Sequence, residues 1–153
     1  MKKIASIFLS LCFAIAPCFA VTAMHGHASN FTIQPAINYT CFPFDENGDA
    51  APIPYTCTGS ATVIQSTTTF TSLTAILSRP IVGSHSLAIQ PEDFTTGNNI
   101  GNSCIINTTQ MACSITFTAA STVSAGDVVA LKVWDNTATS GSYNVEHLTW
   151  VLQ

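Results

Sequence analysis

Val123-Ser124-Ala125-Gly126-Asp127-Val128-Val129-Ala130-Leu131-Lys132-Val133 is the stretch whose reading decides the fold. Ser124 to Asp127 gathers turn-forming residues around a glycine, and beyond it Val129, Leu131 and Val133 recur at every second position. A period of two puts those three on one face of a strand, whereas a helix needs spacings of three and four. The alternation recurs outward on both sides. Cys113, Ile115 and Phe117 alternate with Ser114, Thr116 and Thr118, and Leu148, Trp150 and Leu152 close the chain. Leu73, Ala75 and Leu77 alternate with Ser and Thr, and Leu87 and Ile89 follow the turn Arg79-Pro80-Ile81-Val82-Gly83. Phe31, Ile33, Ile37 and Tyr39 share one parity with Pro35 among them, which suits an edge strand or an interrupted one. With Tyr55 to Gln65 and a short strand around Cys104 to Asn107, the pattern predicts about eight strands.

No window sustains a 3.6-residue apolar period, so the chain is all-β. Short strands with one apolar face each must bury those faces against one another, which predicts a two-sheet antiparallel sandwich. Thr and Ser then occupy the outer faces, where a β-branched polar residue suits a half-exposed pleat. A mucin-like stalk would also be rich in Thr and Ser, but it would be Pro-rich and would lack this periodic core.

The 153 residues are 47% hydrophobic and only 8% charged, which is one domain's length and argues against disorder. Lys2 and Lys3 lie at the extreme N-terminus, leaving Arg79 and Lys132 against eight carboxylates. Nucleic-acid binding is excluded on that balance, because phosphate neutralisation needs clustered Lys and Arg. Residues 1–23 read as a secretory signal peptide, with Lys2 and Lys3 first, an apolar run from Ile4 to Ala16, and small-residue exits at Ala20 and Ala23. The apolar run is shorter than a spanning helix needs, and neither Leu11-Cys12 nor Pro17-Cys18 fits a lipid-attachment site. A secreted chain, extracellular or periplasmic, is therefore expected, with residues 24–153 as one domain and no transmembrane segment in it.

Behind the signal stand Cys41, Cys57, Cys104 and Cys113. An even number of cysteines in an oxidising compartment predicts disulfides. Of the three pairings, Cys41 with Cys57 and Cys104 with Cys113 is preferred, since each pair brackets a turn-rich segment. The second is expected to join the two arms of a hairpin around Asn107 to Gln110. Zinc is the competing reading, and the absence of any Cys-x-x-Cys pair counts against it.

From Phe70 onward the chain resembles a group of small secreted bacterial proteins and collagen-tail tips with a jelly-roll of the tumour-necrosis-factor and C1q type. The matching residues are Ser72 to Leu77, Gly83 to Ile89, Cys104-Ile105-Ile106 turning to Ala112-Cys113-Ser114, the Ala125-Gly126-Asp127 turn with its strand, and Leu148 to Leu152. The resemblance implies a jelly-roll in which that turn opens a long strand and a terminal Trp-bearing strand returns beside the first. It also implies a homotrimer, while a binding or assembly role is expected from the disulfide-stapled scaffold itself, whose variable parts are loops. Two departures stand out: Gln90-Pro91-Glu92-Asp93 replaces the usual basic residue and Asn-Gly, and residues 30–58 have no counterpart, reading as an insertion or an edge-covering segment.

Several constellations invite chemistry. Asp45, Asn47 and Asp49, with Glu46 around Gly48, offer oxygen ligands to calcium, although the EF-hand spacing is missing and Asx turns of a loop tip give the same composition. His25-Gly26-His27 would build a copper site if cleavage exposed His25, with His85 or His147 as partner; a frayed terminus is the plainer account. There is no Gly-x-Ser-x-Gly elbow, no Asp/His partnership can be placed on common loops, and Glu92 and Asp93 would face opposite ways on a strand. Trp134-Asp135-Asn136 ends the strand from Val128, where an indole beside polar groups could stack on a sugar or pack under a loop or against another subunit.

The expected function is thus a secreted, non-enzymatic domain that binds a surface ligand or assembles with its own copies, requiring no cofactor. The alternatives are a chaperone-assembled pilus subunit, which would complete its sandwich with a neighbour's strand, and a sugar-binding or calcium-binding jelly-roll.

Overall fold

The computed structural model describes residues 23–33, 39–44, 53–54, 61–137 and 143–153. Among them run eleven strands: β1 (Met24–Ile33), β2 (Thr40–Pro43), β3 (Ile53–Pro54), β4 (Thr62–Val63), β5 (Thr68–Leu77), β6 (Leu87–Asp93), β7 (Asn98–Asn99), β8 (Cys104–Ile106), β9 (Ala112–Val123), β10 (Val128–Asp135) and β11 (Tyr143–Leu152). The count exceeds the eight expected because β3 and β7 have two residues each, too few to register as a period, and because β2 lies beyond the strand expected over Phe31 to Tyr39; of the strand expected over Tyr55 to Gln65, the described residues form strand only as β4.

Sheet A has the order β1-β11-β5-β9, and sheet B the order β3-β2-β10-β6-β7, with β4 also on β10 and β8 also on β6. The chain crosses between sheets from β1 to β2, from β4 to β5, from β5 to β6, from β8 to β9, from β9 to β10 and from β10 to β11. That alternation is a jelly-roll. The strand opened by the Ser124 to Asp127 turn lies in the middle of sheet B, and the Trp-bearing terminal strand lies beside β1, in register from Met24 opposite Leu152 to Ile33 opposite Tyr143. Where it is described, the segment 30–58 supplies the end of β1 in sheet A and the strands β2 and β3, which extend sheet B beside β10.

The core is what the alternation predicts. Leu73, Ala75, Leu148, Trp150 and Leu152 from sheet A meet Leu87, Ile89, Val129, Leu131 and Val133 from sheet B, all at 2% exposure or less. At its centre the rings of Phe31, Phe42 and Trp150 pack in sequence, with centroids 4.7 Å and 5.6 Å apart. Trp150 lies flat against β1, where only glycine fits: a Cβ on Gly26 would stand 2.6 Å from the indole. Its Nε1 finds no hydrogen-bond partner among the described residues, which for a buried donor costs about 1–3 kcal/mol, so among them the indole is held by packing.

Two features of β9 differ from expectation. Cys104 and Cys113 are bridged, with Cα atoms 5.9 Å apart, but β8 pairs with β6 and β9 with β5. The disulfide therefore ties sheet B to sheet A and does not join two arms of one hydrogen-bonded hairpin. Further along, Phe70 pairs with Ser121 and Ser72 with Thr116, so Phe117 to Ala120 bulge out of the ladder. Gly101 accommodates this bulge: it has a left-handed φ of 67°, a Cβ there would stand 2.2 Å from the Phe117 ring, and its amide donates to Ser121 Oγ at 2.9 Å.

Candidate functional site

β1 and β11 break their alternation at the same place. Ala28 and Leu148 point inward, as do Phe31 and Val145, so Ser29-Asn30 on one strand and Glu146-His147 on the other are two successive residues turned outward. The register is kept through the break, with Ser29 opposite His147 and Phe31 opposite Val145. Asn30 absorbs the irregularity with a left-handed φ of 51°, a conformation that Asn tolerates better than most non-glycine residues. β5 ends alongside, and the Ser78 amide donates to the His147 carbonyl at 3.1 Å. The result is a cleft of about 400 Å³ between the break and the turn after β5.

Planar polar groups line it. The Arg79 guanidinium meets the Glu146 carboxylate at 2.7 Å, with both side chains largely in solvent. His147 Nδ1 and Ser29 Oγ are 2.8 Å apart, and the His147 ring stacks with that of His27 at 5.9 Å. The two early histidines are thus strand residues on β1, paired with Val151 and Thr149, which corrects the frayed terminus expected of them. Tyr143 stands between the cleft and the interior, and burial pushes its phenol above the ordinary value.

Behind Tyr143, its ring 5.6 Å from that of His85, lies an Asp/His pair that the sequence could not place. His85 Nδ1 and Asp135 Oδ2 are 2.5 Å apart. Asp135 is fully enclosed, and it also accepts from the Thr137 hydroxyl at 2.6 Å, the Thr137 amide at 3.0 Å and the Ser86 amide at 3.4 Å. Burial alone would raise its pKa. The hydrogen bonds from Thr137, His85 and Ser86 outweigh that and hold the carboxyl below the ordinary aspartate value. Asp93, at the opposite end of sheet B, accepts in the same way from the Thr95 amide and the Thr96 hydroxyl. The signal for both is an Asp two residues before a Thr at a strand end, Asp93-Phe94-Thr95 and Asp135-Asn136-Thr137, an Asx turn.

The predicted sugar-contact triplet therefore divides. Trp134 is half-buried opposite Ala88, Asp135 points into the sandwich with its oxygens occupied, and Asn136 is exposed with its amide on the Ser86 carbonyl. Glu92 and Asp93 face opposite ways as their adjacency requires: Glu92 pairs with Lys132 outside, and Asp93 is buried. Asp45, Asn47, Asp49 and Cys57 lie outside the described residues. Cys41 is disulfide-bonded. Among the described residues no group of three or more His, Cys, Asp or Glu could hold a metal, and no helix is long and apolar enough to cross a membrane.

The outer face of sheet A is the other candidate surface. Its four strands hold a single Asp, Glu, Lys or Arg, which is Glu146 at the cleft. Hydroxyls cover much of the rest, joined across strands as Thr74 to Ser114 at 2.8 Å and Thr69 to Thr122 at 2.9 Å, with Ile76 half in solvent among them.

No family model matches the chain, and no curated protein is similar to it in sequence. Among solved structures it is similar to Eiger TNF from S. frugiperda, at 13% identity and a TM-score of 0.37, with 86% of this chain and 92% of that one covered.

Proposed function

We propose that this chain is an exported, non-enzymatic domain that self-associates through the outer face of sheet A, as a homotrimer in keeping with the sequence resemblance to the tumour-necrosis-factor and C1q type. The observation that carries this reading is the lack of charge on that face. The chain is acidic, with a formal net charge of -4, so copies repel one another on most approaches. A sheet face whose one carboxylate is paired at its margin is where two copies meet without placing like charges together. Depletion of charge is also what marks the centre of protein interfaces.

The pilus-subunit alternative needs a sandwich left open for a neighbour's strand. Here the terminal strand β11 has β1 on one side and β5 on the other, both from its own chain, which favours the first reading. Export is supported by the Cys104–Cys113 disulfide, which persists in oxidising compartments. Calcium at Asp45, Asn47 and Asp49 remains a separate proposal, open to metal analysis of natively exported protein. The assembly is tested by light scattering on the exported chain at micromolar concentration. A trimer is expected, and Ile76→Glu should dissociate it while leaving the denaturation midpoint of the single chain unchanged. A wild-type monomer, or a trimer indifferent to Ile76→Glu, overturns the reading.

A further inference from the structure

The geometry points to a second surface with its own ligand: we propose that the cleft at the break in β1 and β11 binds a neutral saccharide. Its lining combines amides from Asn30 and Asn144, the Arg79 guanidinium, the Glu146 carboxylate, the His147 imidazole and the Tyr143 phenol. These are planar groups that present donors and acceptors in pairs, which is the pattern that vicinal hydroxyls of a sugar ring satisfy. Arg79 and Glu146 neutralise each other at 2.7 Å, so the cleft has no net charge with which to select an ion. Val82, two-thirds exposed at the rim, gives the C–H face of a ring an apolar surface to lie on. The volume of about 400 Å³ falls within the range of small-molecule sites.

The placement of charge carries the argument further. Apart from Lys2 and Lys3, the chain has two cations. Lys132 is tied to Glu92 and to Asn99 on the outside of sheet B, and Arg79 stands at the cleft. An ion pair as exposed as Arg79–Glu146 adds little to stability, and the alternation of two strands is interrupted to bring Glu146 and His147 outward beside it. The strained break, with Asn30 at a left-handed φ of 51°, and a pair that does little for stability thus fall on one spot, where a bound ligand would make use of both.

The inference goes beyond the assembly reading and does not depend on it, since a monomer would keep the cleft. The test is titration of the nitrogen-15-labelled full exported chain with methyl glycosides of glucose, galactose and N-acetylglucosamine, with galacturonate as the charged counterpart, followed by backbone amide shifts. Saturable shifts centred on Ser78, Arg79, Asn144 and Glu146 are expected with at least one neutral glycoside. Arg79→Gln combined with Glu146→Gln, both exposed and outside the core, should weaken binding at least about tenfold, the loss expected for hydrogen bonds from charged groups. Absence of shifts with all three glycosides, shifts centred on Trp134 and Asn136, tighter binding of galacturonate, or a double variant that binds like the wild type would each overturn the proposal. Light scattering on the same samples reads the assembly separately.

Discussion

Sheets A and B bury the same kind of alternating aliphatic face, yet outside the core they have little in common. On sheet B, Ala88 and Ala130 are fully enclosed although they point away from the sandwich, and Ala130 joins Cys41, Tyr39, Ala61 and Phe94 in a small second cluster. The charges of that sheet are also settled within the chain, Lys132 on Glu92 and Asp135 under Thr137, His85 and Ser86. On sheet A the outward residues are mostly hydroxyls, with histidines, asparagines, one exposed isoleucine and the single carboxylate Glu146, and nothing described in the chain covers them. Identical inner patterns thus go with one outer face that is satisfied internally and one that is left to solvent or to a partner. The alternation that builds a sandwich governs its inside only.

The contrast can be broken at its deepest point first. Trp150 is the largest fully buried side chain and touches both sheets through Phe42 and β1. Trp150→Ala should cost roughly 3–5 kcal/mol in chemical denaturation, whereas Trp150→Phe, which removes the unpartnered Nε1 along with part of the ring, should cost clearly less. Equal losses for the two would mean that the indole nitrogen is satisfied after all.

A smaller effect belongs to the end of sheet B. Asp135→Ala leaves buried amides and hydroxyls without an acceptor and should cost about 2–4 kcal/mol. The same carboxyl sets a pH dependence whose sign follows from its depressed pKa. Its contribution to stability is fully present above the ordinary aspartate value of 3.8 and is lost as pH falls through the lower value of the folded state. Wild-type stability should therefore decline more steeply below about pH 4 than that of Asp135→Asn. Parallel curves would remove Asp135 from its place as the hub of that end.

The smallest change sharpens the comparison by testing a residue on the covered face. Trp134 is half-buried beside Ala88, so Trp134→Ala should cost about 1 kcal/mol, a partial loss of apolar burial. If it costs as much as Trp150→Ala, the outer face of sheet B is a second full core and the division between the sheets is deeper than described.

What could be read from the chain divides along similar lines. Val129, Leu131 and Val133, or Leu148, Trp150 and Leu152, declare their face by spacing alone, because burial on one side of a strand needs no knowledge of the partner strand. The cleft could not be found that way. It depends on Ser29 meeting His147 across 118 positions of sequence and on both strands reversing parity together, neither of which leaves a local pattern. Trp134-Asp135-Asn136 misled in the opposite direction. Adjacency suggested a common patch, but neighbours on a strand face opposite ways, and Asp135 took the inward position that its own parity with Val133 prescribes.

The bulge at Phe117 to Ala120 has a consequence for how copies of this chain can meet. β9 is an edge of sheet A, twelve residues long and without a charged residue, the kind of strand onto which another chain adds ladder by ladder in growth that has no natural end. With the middle of that strand out of the ladder, its Phe117 ring seated over Gly101, a straight neighbour finds matching hydrogen-bond partners only in two short pieces. Strand-by-strand addition at this edge is thereby frustrated, so the assembly proposed above would have to form through the flat of the sheet, where a fixed number of subunits can close a ring.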